Sequence, residues 1–236
     1  GMDVAYKNLI YQLYSMDLSR KVKSARRTRN LSGEYTASFV CYGYKKDPDD
    51  KHKLIIDEEA AKVVVEIFSL IIAGYNASEV ARILNERKIP TRVQNQWKNG
   101  INYVPVHNKG DYMWDNSEVI AIVQNEQYKG IMIQNKCETV GFGDNKKVRK
   151  RNKEDWSVVE GAIPRIVSDE MFDEVNKMLK EYYAKAKELL SENMECLDSV
   201  AEYLIDKETI TGKEFMDIVN LSLIHISEPT RHAQIS

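Results

Sequence analysis

The spacing of apolar residues predicts a chain made mostly of helices. Apolar side chains recur at helical intervals over residues 3–30, and no Gly or Pro interrupts them before Gly33. A second helix is predicted after Asp57, which is placed to cap it, because apolar pairs then recur every four residues up to Gly74. The chain as far as Gly74 is therefore expected to hold one long and one medium helix.

Two further short helices are indicated by capping signals. Asn76 and Glu79 have the spacing of a capping box, and Asp115 and Glu118 repeat it. Between these helices, residues 91–113 show no period and are expected to form a long loop. The helix after Asp115 is expected to bury an apolar stripe formed by Val119, Ile122 and Val123.

Short extended runs and a helical C-terminal part complete the predicted elements. Ser168 is placed to cap one more helix, and residues 182–219 predict two helices and a short third one capped by Thr211. We therefore predict an α+β fold that is mostly helical: a long N-terminal helix, a helix-turn-helix or winged-helix-like domain with a small β-sheet, and C-terminal helices. The extended runs cover residues 39–46, 54–56, 128–134 and 156–160.

Composition narrows the functional classes. A chain with 43% hydrophobic and 30% charged residues suits a soluble globular protein, and no apolar run is long enough to span a bilayer. The three cysteines form no CxxC pair and the four histidines complete no ligand set. We therefore expect no metal, no cofactor and a reduced, cytoplasmic protein. The net charge of −2 conceals a mildly basic part before residue 160 and an acidic part after it.

The second half of the long helix is strongly basic. A helix that is charged on all sides cannot be buried in a core, so this segment is predicted to contact nucleic-acid phosphates. The alternative is a solvated helix end whose cations interact with the helix dipole. The cations are clustered and few acids oppose them: Arg20, Lys21, Lys23, Arg26, Arg27 and Arg29.

The helix after Asp115 carries small and amide side chains opposite its apolar stripe. Asn116, Ser117 and Gln124 lie on or beside that face, and side chains of this size can approach base edges closely. An ordinary polar surface is the competing interpretation. A further basic stretch, over residues 146–153, fits either a hairpin arm near phosphates or a solvated loop.

Several short pieces of the chain are informative through their order, although none is specific alone. They are Asp17 to Arg27, Tyr42 to Lys46, Leu54 to Ala60, Ile83 to Glu86, Ile89 to Thr91, Trp114, and Asn125 to Gly130. This ordered set resembles the recombinase domain of the large serine recombinases, the site-specific DNA recombinases of phages and clostridial mobile elements.

The resemblance implies a role for each element. Residues 1–31 correspond to the end of a long helix that leaves a catalytic domain, and residues 32–177 to the DNA-binding domain. The helix after Asp115 corresponds to the major-groove helix, and the implied partner is a double-stranded attachment site bound by a dimer or tetramer. The nucleophilic serine belongs to the catalytic domain, so no catalytic residue is assigned here. Glu118, Ile120 and Ala121 stand where the family often has basic residues.

Residues 178–220 resemble a different protein family from the one that residues 32–177 resemble. Stretches between residues 181 and 219 are similar to the C-terminal tail of the membrane-bound AAA+ zinc metalloproteases, although their metal motif H-E-x-x-H is absent. The segment 221–231 resembles a translated sequencing adaptor, so residues 221–236 are interpreted as an artefact and expected to be disordered. One hypothesis is an assembled chimera; the other is a natural fusion whose acidic helices dock on the basic part. The similar stretches are Ala184 to Leu190, Ala201 to Leu204 and Lys207 to Gly212.

The leading functional hypothesis is a serine recombinase fragment that binds duplex DNA sequence-specifically and has no catalytic activity of its own. The alternative is a protein-interaction or oligomerisation module that uses the long helix and the acidic tail. A third interpretation is a winged-helix regulator that senses a ligand near Trp97 or Tyr103. An independent enzyme is disfavoured, because the sequence has no catalytic carboxylate spacing, Gly-rich phosphate loop or H-E-x-x-H motif.

Overall fold

The computed structural model describes residues 2–100, 112–141 and 146–227. This part of the chain is mostly helical with short strands, which confirms the predicted α+β class. The helices are α1 (Met2–Leu31), α2 (Glu58–Ile72), α3 (Ala77–Glu86), α4 (Arg92–Lys98), α5 (Asn116–Val123), α6 (Asp169–Glu192), α7 (Met194–Lys207) and α8 (Gly212–Ser227). The strands are β1 (Tyr44–Lys46), β2 (Leu54–Ile56), β3 (Ile131–Gln134), β4 (Cys137–Val140), β5 (Lys147–Lys150) and β6 (Ser157–Glu160).

The chain divides into two compact units, Gly1–Asn176 and Lys177–Ser236. The first unit contains α1 to α5 and all six strands, the second contains α7 and α8, and α6 has residues in both. All the candidate DNA-binding residues and the three tryptophans belong to the first unit.

Helices α2, α3 and α5 build the core of the first unit. Val64, Ile67 and Phe68 of α2 share one side of the helix and are fully buried. Leu84 of α3 is buried against the same core, and α5 packs on both α2 and α3. Complete burial of each such side chain contributes about 1.5–3 kcal/mol. The apolar stripe predicted for α5 is confirmed by the burial of Val119, Ile122 and Val123.

Aromatic side chains complete this core. Tyr128 is 1% exposed, and its hydroxyl donates to the carbonyl oxygen of Tyr42 at 2.9 Å. Its ring stacks on Tyr44 at 6.0 Å and meets Phe68 edge-on at 6.4 Å. Gly43 has a φ of +92°, and a Cβ there would stand 3.0 Å from the nearest side chain. Glycine is therefore the residue that fits between these rings and α2.

A capping box marks the start of α3, whereas α2 begins without a side-chain cap bond. The box predicted for α3 is present, because Asn76 accepts from the Glu79 N–H and Glu79 accepts from the Asn76 N–H. Asp57 precedes α2 as predicted, but its carboxylate accepts from Asn95 Nδ2 at 3.1 Å and forms no cap bond. Burial acts to raise the pKa of the Asp57 carboxyl, yet hydrogen bonds from Asn95 and Asn99 outweigh burial and the pKa is lowered.

The prediction of an irregular loop over residues 91–113 is wrong at its start. Thr91 and Gln94 form a capping box, and α4 follows it. The helix was missed because its seven residues are too few to show an apolar period. Residues 101–111, which include Tyr103, lie outside the described residues.

Three two-stranded antiparallel sheets occur among the described residues. β1 pairs with β2, so that Tyr44 stands opposite Ile56, and β3 pairs with β6, so that Gln134 stands opposite Ser157. β4 and β5 form a hairpin. β2 has the predicted bounds, whereas β1, β3 and β6 are shorter than predicted. β3 begins only after Gly130, because the residues before it form a short 3-10 helix.

Helices α6 and α8 begin at the predicted caps, Ser168 and Thr211. Ser168 precedes α6, and its hydroxyl oxygen accepts from a backbone N–H of the first turn at 3.2 Å. In the second unit, Glu214 donates its backbone N–H to Thr211 Oγ1 at 3.3 Å and accepts from the Thr211 N–H at 2.9 Å. These bonds satisfy N–H groups that have no partner within the helix.

Helix α8 is longer than the short helix predicted there. It extends to Ser227, so the disorder expected for residues 221–236 is wrong over 221–227. Residues 213–227 contain no Gly or Pro, so the helix can propagate through this stretch once α8 has started. Residues 228–236 lie outside the described part of the chain.

Candidate nucleic-acid interface

All six cations predicted on α1 are exposed to solvent. Two of them have acidic neighbours: Lys21 pairs with Asp17 at 2.8 Å, and Arg29 stands 3.9 Å from Glu34. Exposed pairs of this kind contribute about 1 kcal/mol or less. A phosphate can therefore compete for both cations at small cost.

The other four cations of α1 differ in how they are held. Lys23 donates from Nζ to the Thr139 carbonyl oxygen at 3.2 Å, and Arg26 donates from Nε to Thr36 Oγ1 at 3.0 Å. Arg20 and Arg27 have no partner among the described residues. These two arginines are consequently the most available charges on the helix. Arg26, by contrast, is held by its hydrogen bond to Thr36.

A buried polar network fixes the end of α1. Asn30 is 1% exposed; its Nδ2 donates to Asn135 Oδ1 at 2.9 Å, and its Oδ1 accepts from Thr36 Oγ1 at 2.6 Å. Gln134 at the end of β3 accepts from the Thr36 N–H at 2.9 Å and donates to the Glu34 carbonyl at 2.8 Å. The network holds the basic segment of α1 at a defined place beside β3.

The basic segment of α1 faces the β4–β5 hairpin across a cavity of about 450 Å³. Lys23, Arg26 and Arg27 line it from α1, and Arg151 lines it from the end of the hairpin. The sequence left the role of the hairpin undecided. The structure brings one of its cations, Arg151, next to those of α1.

One acid moderates the charge of the hairpin. Glu138 of β4 accepts from Arg149 Nη2 at 2.5 Å and pairs with Arg151 at 2.9 Å. Hydrogen bonds from Arg149 hold the pKa of Glu138 below its ordinary value, so this carboxylate remains ionised. Lys147 and Lys150 are exposed and have no partner in the part of the chain that the structure describes. These two lysines lie outside the cavity lining, where the cation from the hairpin is Arg151.

The predicted reading face of α5 is exposed. Asn116 and Gln124 present side-chain amides that bond to nothing among the described residues. The Ser117 hydroxyl donates to Asp115 Oδ1 at 2.6 Å, and the same oxygen accepts from the Glu118 N–H at 2.8 Å. The hydrogen bond from Ser117 lowers the pKa of the Asp115 carboxyl. Ser117 therefore contributes to the helix cap and remains available to a base only as an acceptor.

The second half of the capping box predicted at α5 is not formed. Asp115 accepts from the Glu118 N–H, but the Glu118 side chain does not return a bond, and its Oε2 is buried without a partner. Burial raises the pKa of the Glu118 carboxyl; the charge of Asp115 adds to this effect and that of Arg92 opposes it. A carboxylate at this position opposes the approach of DNA phosphates.

Sequence reasoning missed a cation beside the α5 face. Arg92, the first residue of α4, is exposed and lines a cavity of about 250 Å³ together with Ser117 and Ala121. It has no hydrogen-bond or ion-pair partner among the described residues. The sequence did contain one signal for it: the capping box of Thr91 and Gln94, which places Arg92 at the start of a helix.

A family model described as Recombinase matches residues 58–182, which is more than half of the chain. The chain belongs to the Recombinase family. DNA recombination and DNA binding are therefore its general functional class. The matched range contains α2 to α5, strands β3 to β6 and the beginning of α6. The α1 cations precede it, and the Arg92 and α5 residues fall within it.

A solved structure, the crystal structure of a LSR–DNA complex, aligns with 68% of this chain and 38% of that chain. The identity is 18% and the TM-score is 0.40, which is too low to establish a common fold.

A second similarity is to zinc metalloproteases and is partial. The ATP-dependent zinc metalloprotease FtsH of Kosmotoga olearia is 45% identical over 56 residues, which is 24% of this chain and 9% of the protease. FtsH 3 of Petrotoga mobilis is 36% identical over 67 residues, 28% of this chain and 10% of the protease. The chain thus spans about a tenth of the length of these relatives.

The described residues contain no group of three or more His, Cys, Asp or Glu side chains placed to hold a metal ion. Among their helices, none combines the length and the apolar character needed to cross a bilayer.

Proposed function

We propose that the first unit binds duplex DNA with sequence preference, as the DNA-binding part of a large serine recombinase acting at an attachment site. The observation that supports this best is the cationic groove between α1 and the β4–β5 hairpin. Lys23, Arg26 and Arg27 line it from α1, and Arg151 lines it from the end of the hairpin. The buried Asn30 side chain bonds α1 to Asn135, which also lines the groove. Cations on both sides of a groove suit the continuous negative charge of a sugar-phosphate backbone.

The proposal divides the work between two groups of residues. The groove holds phosphates and sets affinity, whereas the face of α5 reads bases and sets preference. Asn116 and Gln124 carry the amides that can bond an adenine edge in both directions. Both amides are exposed and uncommitted within the described chain.

The first test is the salt dependence of binding to a random-sequence duplex, followed by fluorescence anisotropy. Arg20 and Arg27 of α1 and Lys147 and Lys150 of β5 have no partner among the described residues. If each of these four neutralises one phosphate, affinity falls about 100-fold between roughly 50 and 200 mM salt. Affinity that is unchanged over this range contradicts the phosphate contacts.

The second test concerns sequence preference. A duplex is first selected from a random pool, and its affinity is then compared with that of single-base variants. Gln124→Ala and Asn116→Ala are each expected to reduce discrimination at one base position by about 1–3 kcal/mol. Ser32→Ala, an exposed change beyond the end of α1, is the matched control and leaves discrimination intact. Equal discrimination in all four proteins removes α5 as the reader.

We also propose that this chain breaks no DNA strand by itself. Ser19 lies on the basic helix without a His, Asp or Glu beside it in sequence except Asp17, and a hydroxyl nucleophile needs an activating neighbour. The assay is incubation of the full chain with supercoiled plasmid that carries the selected site. Unchanged supercoiling is expected, and nicked or relaxed plasmid overturns this part of the proposal.

A second candidate function is oligomerisation through α1. The N-terminal half of this helix exposes large apolar and aromatic side chains, and exposed patches of this kind mark interaction sites. Sedimentation with and without duplex separates the two functions: self-association that needs no DNA, together with no duplex binding, favours the interaction module. The exposed side chains are Val4, Tyr6, Leu9, Ile10, Tyr11, Leu13, Tyr14, Met16 and Leu18.

A further inference from the structure

Helix α5 lacks the positive charge that a reading helix needs near DNA. Its sequence contains one charged residue, Glu118, and that residue is negative. Phosphates flank a helix that lies in the major groove, so the helix needs cations nearby to fix its position there. The structure supplies them from other elements.

Two adjoining cavities connect the face of α5 to a basic surface. The first, of about 250 Å³, is lined by Ser117 and Ala121 of α5. The second, of about 340 Å³, extends from it toward β1 and the turn that follows. Cys41, Tyr42 and Arg92 line both cavities, so the two share a wall.

Three exposed cations stand around the second cavity. Arg92 comes from α4, Lys45 from β1 and Lys51 from the turn between β1 and β2. None of the three has a hydrogen-bond or ion-pair partner among the described residues. Lys46 also lines this cavity, but its Nζ is held over the Tyr35 ring at 5.9 Å.

Several acids lie near these cations and carry hydrogen bonds. The Asp57 carboxylate accepts from Asn95 at 3.1 Å and from Asn99 at 3.3 Å. Asp47, which lines the second cavity, accepts from the Asp49 N–H at 3.0 Å. At the start of α5, Asp115 accepts from Ser117 at 2.6 Å, and Glu118 lines the first cavity.

We infer that Arg92, Lys45 and Lys51 form a clamp for backbone phosphates of duplex DNA, which sets the position of α5 in its groove. The inference rests on the proposed function and deepens it. The ligand is the phosphodiester backbone beside the bases that α5 contacts, because the cavity wall carrying Arg92 also carries the exposed Ser117 and Ala121. A clamp of this kind contributes affinity for any sequence and no discrimination between bases.

The test measures the salt dependence of duplex binding by the full chain and its single variants. Arg92→Gln, Lys45→Gln and Lys51→Gln are each expected to reduce the slope of log affinity against log salt by about one, on all sequences alike. Arg92→Lys is expected to retain the slope. Lys62→Gln on α2 removes one exposed charge that lines neither cavity, and it is expected to change nothing.

Arg27→Gln on α1 separates a failure of this inference from a failure of the proposed function. If Arg27→Gln reduces the slope and Arg92→Gln does not, the chain binds DNA but the clamp is refuted. If the wild-type chain binds no duplex even in dilute buffer, both are refuted. If Lys62→Gln reduces the slope as much as Arg92→Gln, the effect is one of overall charge and the clamp is refuted.

Two further measurements concern the ligand. Glu118→Gln is expected to raise duplex affinity several-fold, because it removes the negative charge next to the clamp; unchanged or lower affinity contradicts the clamp. Inorganic phosphate, supplied at the phosphate concentration of the duplex, is expected to leave the melting temperature unchanged. A rise in melting temperature that Arg92→Gln abolishes identifies a site for a free anion and refutes the assignment to DNA.

Discussion

The buried amide of Asn30 makes a prediction that needs no DNA. Asn30 lies in the last turn of α1, yet it is 1% exposed, whereas the cations around it are open to solvent. Its two hydrogen bonds join α1 to Thr36 and to Asn135. We expect Asn30→Ala to destabilise the first unit and to loosen the basic segment of α1.

The magnitude follows from what each partner loses. The Thr36 hydroxyl can turn to Gln134 Oε1, which already lies 3.3 Å away, so this group remains satisfied. Asn135 Oδ1 loses the donor at 2.9 Å, and an orphaned polar group in such a place costs about 1–3 kcal/mol. Because Asn135 is only half-buried, water replaces part of the bond, and we expect a value in the lower half of that range.

The assay is urea unfolding followed by tryptophan fluorescence. The three tryptophans, Trp97, Trp114 and Trp156, all belong to the first unit, so the signal reports that unit alone. Thr28→Ala is the matched control: its hydroxyl bonds to the carbonyl of Ser24 on the exposed side of α1, and its loss is expected to change stability by about 0.5 kcal/mol or less. An Asn30→Ala change no larger than this control refutes the anchoring role of the network.

Three other predictions use single variants. Arg27→Gln is expected to weaken duplex binding more than Lys21→Gln, because Arg27 has no partner within the described chain whereas Lys21 already pairs with an acid; anisotropy titration with equal losses contradicts this. The pKa of Glu118 is raised by burial, so the folded state favours the protonated acid, and its stabilising contribution is lost as pH rises through the folded pKa. Glu118→Gln should therefore stabilise the first unit at neutral pH relative to acidic pH, and urea midpoints that shift equally at both pH values contradict this. Tyr128→Phe leaves the buried carbonyl of Tyr42 without its donor and should cost about 1–3 kcal/mol in the same urea assay; a loss under the lower limit contradicts the hydrogen bond.

The helices were predictable from the sequence where a local pattern repeats over several turns. The thirty residues of α1 and the apolar face of α2 repeat the helical period several times, and the box of Asn76 and Glu79 fixed the start of α3. Helix α4 is too short to show an apolar period, although Thr91 and Gln94 have the spacing of a capping box. Local rules therefore succeeded in proportion to the number of turns that displayed them.

The side-chain partners could not be predicted, because they depend on residues far apart in sequence. Asp57 has the residue type and position of a cap, but α4 brings two asparagines to its carboxylate, and these compete successfully for it. Glu118 has the spacing of a box, yet burial leaves one of its oxygens without a bond. In both cases, packing decided between local options of similar energy.

The basic residues of the candidate site could be identified from the sequence, but their arrangement in space could not. The six cations of α1 are visible in the sequence. Three of them line the cavity beside the β4–β5 hairpin, and the Asn30–Asn135 bond that anchors α1 there is singled out by no charge or spacing rule. Arg92 was missed for the same reason, since its relation to α5 exists only after α4 has formed.

The measurement that tests the central claim most directly compares the full chain with the double variant Arg20→Gln/Arg27→Gln. Both proteins are titrated onto the same duplex over a range of salt. Steeply salt-dependent binding by the wild type is predicted, with a slope that falls by about two units in the variant because two phosphate contacts are lost. A folded wild-type chain that ignores the duplex at low salt, or a variant with the same slope as the wild type, contradicts the claim that α1 holds DNA.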